Sequence, residues 1–198
     1  DLIFAGTSGF TSFYEKAKVL DLPFLFDSAE QAYEVTNSEI GEQIFSGLEE
    51  FGLVFLSEGD NGMRHISTTN RPVHTAADVQ GLKIRVQDMK SQTDMMSYLG
   101  GIPVAMSYGD VYTSLQTGII DGTENNETAL TTGKHGEVCK VYSVDQHAMI
   151  PDVLIMSEKV WETISPEDQE IILEAAHDST DAHKVMWDTA VEEAVKEA

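Results

Sequence analysis

Short apolar runs alternate with amphipathic stretches along the whole chain. In the amphipathic stretches, apolar residues recur every three or four positions, which is the spacing of one helix face. The runs predicted as strands are Leu2–Ala5, Leu53–Leu56, Leu82–Val86, Ile119–Gly122 and Val153–Met156. The fourth of these is expected to lead into a polar loop, Thr123–Asn126. This alternation predicts an α/β fold.

Side chains that cap helices mark several helix starts. Ser165, followed by a proline and two acids, predicts a helix that runs from there to the end of the chain. Ser28 and Gln31 have the spacing of a capping box, and Thr75 begins a similar capped turn. Gly52 is expected to end the helix that precedes the second strand.

The charge of the chain excludes several classes of partner. Asp and Glu number 34 against 12 Lys and Arg, which gives a formal charge of −22. Such a surface repels phosphate backbones and anionic lipid headgroups, so we expect neither nucleic-acid binding nor membrane-surface binding. No run of about eighteen apolar residues is present, so no membrane insertion is expected.

The single cysteine, Cys139, excludes an intramolecular disulfide and a zinc site built from several cysteines. It is expected to be buried and inert, and it does not identify the compartment. The six histidines show no ligand spacing, and each is expected to be a surface or packing residue. We therefore predict no metal and no cofactor.

The arginines are clustered, whereas the lysines are spread along the chain. All three arginines, Arg64, Arg71 and Arg85, lie between residues 64 and 85. Arginine can hold a carboxylate with two parallel hydrogen bonds, which lysine cannot do. Arg85 lies near the end of a predicted strand, where open α/β sheets bind ligands. From position alone, a ligand contact is favoured for Arg85 about as much as a structural role, in which the side chain either forms a buried ion pair or points to solvent. Arg71 is expected at the surface, and the spacing leaves Arg64 undecided.

Enzyme motifs are not found. The Gly6–Gly9 segment is followed by Phe10 where a nucleophile elbow has its second glycine. Neither a P-loop nor a dinucleotide fingerprint occurs. The carboxylates are too many and too dispersed to single out an acid/base pair.

Several segments together resemble the periplasmic solute-binding proteins of TRAP transporters. The segments that carry the resemblance are Leu20–Phe26, Asn61–Arg64, Asn70–Pro72, Gly81–Val86, Tyr108–Tyr112, Leu115–Gly118 and Asp121–Asn125. They occur in the family's order and cover nearly the whole chain. The resemblance raises the ligand-contact interpretation of Arg85 well above the structural one.

The resemblance implies a two-lobed architecture of the periplasmic-binding-protein (Venus-flytrap) type. Residues 1–62 would form part of lobe I, residues 63–150 lobe II, and residues 151–198 the return to lobe I with a long C-terminal helix. The family's usual opening strand and first helices, and its secretion signal, are not seen in this sequence. We therefore expect a chain that lacks part of the N-terminal lobe and the C-terminal end.

The resemblance also implies a set of ligand-binding residues. Arg85 would form the main salt bridge to a substrate carboxylate, and Arg64 would be a second positive contact. Asn125 would donate a hydrogen bond to the carboxylate or to a neighbouring hydroxyl. Tyr108 would place its ring against the ligand, and Asp152 would contact substrate hydroxyls. In contrast, Arg71 would have a structural role.

Two further comparisons within the family bear on the ligand. Gly6 and Gly9 stand where the sialic-acid branch has Glu and Arg, which argues against sialic acid. The pair Asn125–Asn126, with His147 and Pro151–Asp152 downstream, resembles the branches that bind uronates and related sugar acids. Asn126 and His147 are therefore additional candidate ligand contacts.

The implied function is that of a periplasmic receptor that closes around a small organic acid and delivers it to the membrane permease subunits of a TRAP transporter. Such a protein is not an enzyme. Two alternatives remain: an α/β enzyme that acts on an acidic sugar, and the sensor domain of a signalling receptor. The enzyme would require a nucleophile or an acid/base pair near Arg85.

Overall fold

The computed structural model describes residues 1–198. The strands are β1 Leu2–Gly6, β2 Leu53–Gly59, β3 Met63–Thr68, β4 Lys83–Val86, β5 Ile102–Ala105, β6 Gly122–Asn125, β7 Val141–Met149 and β8 Asp152–Ser157. The α-helices are α1 Ala29–Thr36, α2 Glu39–Phe45, α3 Ala76–Val79, α4 Lys90–Tyr98, α5 Val111–Gln116, α6 Thr128–Thr131, α7 His135–Val138, α8 Glu158–Trp161 and α9 Pro166–Glu197. Short 3-10 helices lie at Thr7–Gly9, Glu15–Asp21, Ser46–Phe51 and Tyr108–Asp110.

The chain forms two compact units. The first consists of Asp1–Leu20, Phe26–Gly62 and Met149–Thr189, and the second of Asp21–Leu25, Met63–Ala148 and Ala190–Ala198. The units differ from the predicted lobes at three short segments: residues 21–25 and 190–198 group with the second unit, and residues 149–150 group with the first. The predicted lobe boundaries stay a prediction.

The first unit contains a three-stranded antiparallel sheet in the order β1-β8-β2. The central strand β8 thus pairs on both sides with strands from much earlier in the chain. Helix α9 contributes Ile172, Leu173 and Ala176 to a core cluster that includes Val54 and Met156 of this sheet. The amphipathic pattern after Ser165 therefore provides an apolar face against the sheet.

The second unit contains a five-stranded sheet in the order β5-β4-β6-β3-β7. Strands β5 and β6 are both parallel to β4, and β3 is antiparallel to β6. Met95 and Met96 of α4 pack with Ile84 of β4 in one cluster. Val111 and Leu115 of α5 belong to a separate cluster. The α/β prediction is confirmed.

One predicted strand is wrong. Residues 119–121 do not form a strand, and β6 begins at Gly122 and includes most of the predicted polar loop. After Gly118, which has a φ of 72°, the backbone N–H groups of Ile119 and Ile120 both donate to Ser114 O. The N–H groups of Ile119 and Ile120 therefore satisfy a carbonyl in the last turn of α5, as residues that follow a left-handed glycine commonly do. The side chain of Ile120 is fully buried.

Two of the predicted caps have different outcomes. Thr75 and Asp78 form a complete capping box at the start of α3. At α1, Ser28 Oγ accepts a hydrogen bond from Gln31 N. The Gln31 side chain, however, accepts from the backbone N–H of Asp27 (2.7 Å) and not from that of Ser28. The helix start is confirmed, but the reciprocal box is not formed there.

Gly122 is required where β6 pairs with its neighbours. A Cβ at this position would lie 2.4 Å from Ser67 O and 2.8 Å from Ile84 Cδ1. We expect Gly122→Ala to reduce the free energy of unfolding by about 1–3 kcal/mol, because the added methyl overpacks the sheet. Chemical denaturation measures this change. Gly9→Ala is the control, since no atom lies within 4 Å of the added Cβ, and an equal loss in both variants would contradict the steric explanation.

None of the helices combines the length and the hydrophobicity that a membrane span needs.

Candidate functional site

Arg64 and Glu124 form a fully buried ion pair in the second unit. Ile66 is the register partner of Glu124, and Arg64 lies two residues before Ile66 on the same side of β3. Arg64 therefore reaches Glu124 diagonally across the two strands. Its Nε is 2.5 Å from Glu124 Oε2 and its Nη2 is 3.1 Å from Oε1, while Nη2 also donates to the backbone O of Glu124. This is the two-pronged geometry that favours arginine over lysine.

The environment of Glu124 keeps its carboxylate ionised. Complete burial alone would raise its pKa, but the charge and hydrogen bonds of Arg64 and the nearby His147 outweigh burial, so the net pKa is lowered. The ionised Glu124 is the resident counter-ion of the Arg64 guanidinium.

Arg85 is buried beside this ion pair, and its positive charge has no carboxylate within hydrogen-bonding distance. It lies in β4, which is flanked by two parallel strands, and is only 4% exposed. Its Nε and Nη2 both donate to Met106 O, at 3.1 and 2.9 Å. Its Nη1 lies 3.9 Å from Glu124 Oε1, which is too long for a hydrogen bond. Burial lowers the pKa of Arg85, and nearby Arg64 lowers it further against the opposing effect of Glu124.

Tyr108 and His135 form an aromatic pair in the same unit. Their ring centroids are 5.6 Å apart, and the Tyr108 side chain is about half exposed. Burial lowers the pKa of His135 to about 4, and Arg85 lowers it as well, so the imidazole is neutral at physiological pH. Burial raises the pKa of Tyr108, although Arg85 and Arg64 oppose that rise. The predicted aromatic contact is thus partly accessible to a ligand.

The two asparagines at the end of β6 differ in environment. Asn125 is half-buried, and its Oδ1 accepts a hydrogen bond from Asn126 N at 2.9 Å. Asn126 is buried, and its Oδ1 accepts from Thr128 Oγ1 at 2.7 Å. Asn126 therefore helps to form the turn into α6, and Asn125 is the more accessible of the two.

His147 is buried between two carboxylates. Its Nδ1 lies 2.9 Å from Asp145 Oδ2, and its Nε2 lies 3.5 Å from Glu124 Oε2. Burial alone would lower its pKa, but both carboxylates raise it, and the net change is upward. His147 is therefore linked through Glu124 to Arg64.

A second histidine, His65, lies next to this chain of charges. Its Nδ1 is 3.1 Å from Gln146 N, which can only donate, so Nδ1 accepts this bond. Its Nε2 is 3.1 Å from Glu127 Oε1. Nδ1 therefore faces a backbone donor, and Nε2 faces the Glu127 carboxylate.

Asp152 lies in the first unit, at the start of β8. It is the register partner of Gly6, and its Oδ1 accepts a hydrogen bond from Asn61 Nδ2 at 3.3 Å. Its predicted contact with substrate hydroxyls stays a prediction.

The remaining sequence expectations concern Arg71, Cys139 and metal binding. Arg71 is exposed and donates from Nη1 to the backbone O of Asp78 and of Gln80. Cys139 is buried, and burial raises its pKa to about 11, so its thiol is protonated. No group of three or more His, Cys, Asp or Glu side chains is arranged to hold a metal ion.

The structure groups Arg64, Arg85, Tyr108, Asn125 and His147 in one unit, together with Glu124, which the sequence interpretation missed. His65, His135 and His147 are all buried, as packing residues are, and each lies beside a charged group. A buried arginine in a strand requires a counter-ion. The glutamate in the segment that forms β6 was therefore the sequence feature that could have identified Glu124.

The comparisons with known proteins identify the family. The model of the bacterial extracellular solute-binding proteins, family 7, matches residues 1–198. The chain belongs to this family. Among curated relatives, a solute-binding protein of Chromohalobacter salexigens is 39% identical over 176 residues, covering 89% of this chain and 52% of that protein. The C4-dicarboxylate-binding periplasmic protein DctP of Rhodobacter capsulatus is 35% identical over 164 residues. The match covers 83% of this chain and 49% of the length of DctP.

Solved structures of family members have the same fold. A TRAP periplasmic solute-binding protein of Chromohalobacter salexigens with bound D-glucuronate matches with a TM-score of 0.98 and 35% identity, covering 100% of this chain and 65% of its own. A second, from a Bradyrhizobium species in complex with D-galacturonate, matches with a TM-score of 0.94 and 38% identity, covering 100% of this chain and 66% of its own. The chain thus spans about half the length of the curated relatives and about two thirds of the solved chains.

Proposed function

We propose that the protein is a receptor that binds a small carboxylate, best fitted by a uronate or related sugar acid. The observation that carries the proposal is Arg85. Its guanidinium is buried at a strand flanked by parallel strands, and its Nη1 has no carboxylate oxygen nearer than 3.9 Å. A buried guanidinium of this kind gains most from a ligand that supplies the missing carboxylate.

The solved relatives support the choice of ligand class. Proteins of this family contain bound D-glucuronate and D-galacturonate, and the whole of this chain superposes on one of each. A uronate has one carboxylate for Arg85 and hydroxyls that Asn125 and the half-exposed Tyr108 could contact. These residues form the proposed binding set, with Arg64 held beside them by Glu124.

Binding is favoured over catalysis. The family is one of solute-binding proteins, and the charged groups around Arg85 are already engaged with one another. Glu124 is ionised and held by Arg64, and His135 is neutral beside Tyr108. Neither the enzyme nor the sensor interpretation is supported by a comparable observation.

The cellular role follows from the same relatives. We propose that the full-length protein is periplasmic and delivers its ligand to the permease subunits of a TRAP transporter, as its relatives' names imply. Deletion of the genes for such a permease should abolish uptake of the labelled ligand while the receptor still binds it. Unchanged uptake would contradict this partner.

The first test of ligand class is a thermal-shift screen of the full-length protein. Glucuronate or galacturonate should raise the melting temperature, because a ligand at one hundred times its Kd stabilises the folded state by about 2.7 kcal/mol. Glucose and galactose are the matched controls and should have no effect, because they leave the Arg85 guanidinium without a carboxylate. If the neutral hexoses stabilise the protein as much as their uronates do, the proposal is wrong.

A further inference from the structure

The hydroxyl end of Tyr108 lies against the turn between α6 and α7. A Cβ added to Gly133 in this turn would overlap Tyr108 Oη and would lie 3.2 Å from His135 Nε2. The tyrosine hydroxyl and the imidazole therefore both lie next to Gly133. Because glycine alone leaves this space open, a larger residue at this position would displace the Tyr108 ring.

The end of the turn buries His135 beside that ring. Lys134 has a left-handed φ of 57° and directly precedes α7, whose first residue is His135. The imidazole is 2% exposed, and its centroid lies 5.6 Å from that of Tyr108 at an interplanar angle of 50°. Burial and the charge of Arg85 lower the pKa of His135 to about 4. A neutral, buried ring thus packs against one that is about half exposed.

Contacts between α5 and α7 keep the two rings together. Val111 of α5 and Val138 of α7 belong to one apolar cluster. The hydroxyl of Tyr112 in α5 donates a hydrogen bond to Glu137 Oε2 in α7 at 2.8 Å. One of the two rings lies just before α5, and the other is on the first residue of α7. The packing of these helices therefore fixes the position of each ring relative to the other.

Tyr108 is also linked to the proposed carboxylate anchor. Arg85 Nε and Nη2 both donate to Met106 O, two residues before Tyr108. The main chain that carries the ring is thus held by the guanidinium, and the ring itself is held by the turn. The charge of Arg85 also lowers the pKa of His135 and opposes the rise in the pKa of Tyr108. Both rings therefore lie within the electrostatic influence of the anchor.

We propose that Gly133 and His135 are positioning residues, which hold the Tyr108 ring beside Arg85 without contacting the ligand themselves. This inference rests on the proposed function, in which Tyr108 belongs to the binding set. Gly133 provides the space for the hydroxyl end of the ring, and His135 provides a neutral surface against which the ring packs. A ring that is held before the ligand arrives loses little conformational freedom on binding, which favours affinity.

The first test adds a methyl group to the turn. Gly133→Ala should raise the Kd of the full-length protein for galacturonate by about tenfold, because the methyl displaces the Tyr108 ring. Calorimetric titration measures the change. Gly109→Ala is the matched control, since Gly109 adjoins Tyr108 but no atom lies within 4 Å of the added Cβ. An equal rise in both variants, or none in Gly133→Ala, would overturn the role of Gly133.

A double-variant cycle shows whether the methyl acts through Tyr108 or through a general loss of structure. Tyr108→Phe removes the oxygen that the methyl would displace. In the Tyr108→Phe background, Gly133→Ala should therefore raise the Kd by less than about threefold. A small effect should remain, because Ala129 O lies 2.8 Å from the same added Cβ. The same rise in both backgrounds would contradict the proposal.

The role of His135 is tested by replacing it with and without a ring. His135→Ala should raise the Kd for galacturonate by about threefold or more, because Tyr108 loses the surface that restrains it. His135→Phe keeps a neutral ring and should retain most of the affinity. Equal losses in the two variants would show that an imidazole nitrogen is needed, and the packing role would be wrong.

A measurement on the ligand-free protein keeps the inference testable if Gly133→Ala does not fold. NMR titration of the histidine ring protons should give His135 a pKa of about 4 in the wild type. In Tyr108→Ala this pKa should rise toward the ordinary value, because water then reaches the imidazole. A pKa that does not change would show that Tyr108 does not cover His135, and would overturn the pairing.

The inference and the proposed function fail in different ways. If galacturonate binds the wild type and the variants of Gly133 and His135 bind it equally well, the positioning role is wrong and the receptor function stands. If neither galacturonate nor any other sugar acid binds the wild type, the proposed function is wrong, and the inference falls with it.

Discussion

Replacing Arg85 with alanine is expected to weaken binding of the sugar-acid ligand by roughly 2–5 kcal/mol, because the ligand carboxylate would be desolvated without its partner. Arg85→Lys keeps the charge but loses the two-pronged geometry, so its affinity should also fall markedly. Calorimetric titration of the wild type and the variants measures the effect.

The control for Arg85 is another arginine of the same chain. Arg71 is exposed and contacts only backbone oxygens of Asp78 and Gln80, so Arg71→Lys should bind almost as the wild type does. Arg71→Lys should also leave the free energy of unfolding almost unchanged. Unfolding curves separate any loss of stability in the Arg85 variants, which lose the hydrogen bonds from the guanidinium to Met106 O, from their loss of binding. If Arg85→Lys binds like the wild type and Arg71→Lys does not, Arg85 is not the carboxylate anchor.

Arg64 should behave differently, since its main effect is on folding. Arg64→Met is expected to reduce the free energy of unfolding by about 3–5 kcal/mol, because it leaves the fully buried Glu124 without its principal partner. Chemical denaturation measures the loss. The double variant Arg64→Met/Glu124→Leu should recover part of it, because the carboxylate that the single change leaves unpaired is then removed, although Arg85 loses its distant counter-ion.

The pH dependence provides an independent check of the same pair. The folded-state pKa of Glu124 is lowered, so its stabilising contribution is present above its unfolded pKa of about 4.3 and is lost as the pH falls through the folded value. The difference in stability between the wild type and Arg64→Met should therefore be large at pH 7 and shrink below about pH 4. A constant difference over this range, or a double variant less stable than the single one, would contradict the ion-pair explanation.

The fold was predictable where the signals are local. Capping residues such as Thr75 and Ser165 and the left-handed Gly52 determine helix ends through their own backbone and immediate neighbours. Strands of continuous apolar residues, such as β8, were found for the same reason. Strand β6 was misplaced because its residues Thr123 and Glu124 are polar yet completely buried. Hydropathy cannot show that such residues are balanced by partners elsewhere in the chain.

The candidate site was predictable by residue type but not by its connections. The arginines stand out because guanidinium groups are few in so acidic a chain. Glu124 did not stand out among many carboxylates, since only the pairing of β3 with β6 brings it to Arg64. The role of His147 likewise depends on Asp145 and on Glu124, and the latter lies in a different strand. The assignment of Asp152 to the ligand stays a prediction.

The position of β8 in the first sheet has a consequence for the order of folding. Strands β1 and β2 each pair with β8 and not with one another. During synthesis from the N-terminus, both strands are therefore made long before their common partner, and the segment Met63–Ala148 of the second unit emerges in between. The paired strands of the second sheet lie closer together along the chain, the most distant being β3 and β7, whereas closure of the first sheet must wait for residues 152–157. Because long-range pairing slows folding, we expect the first unit to be the slower of the two to fold.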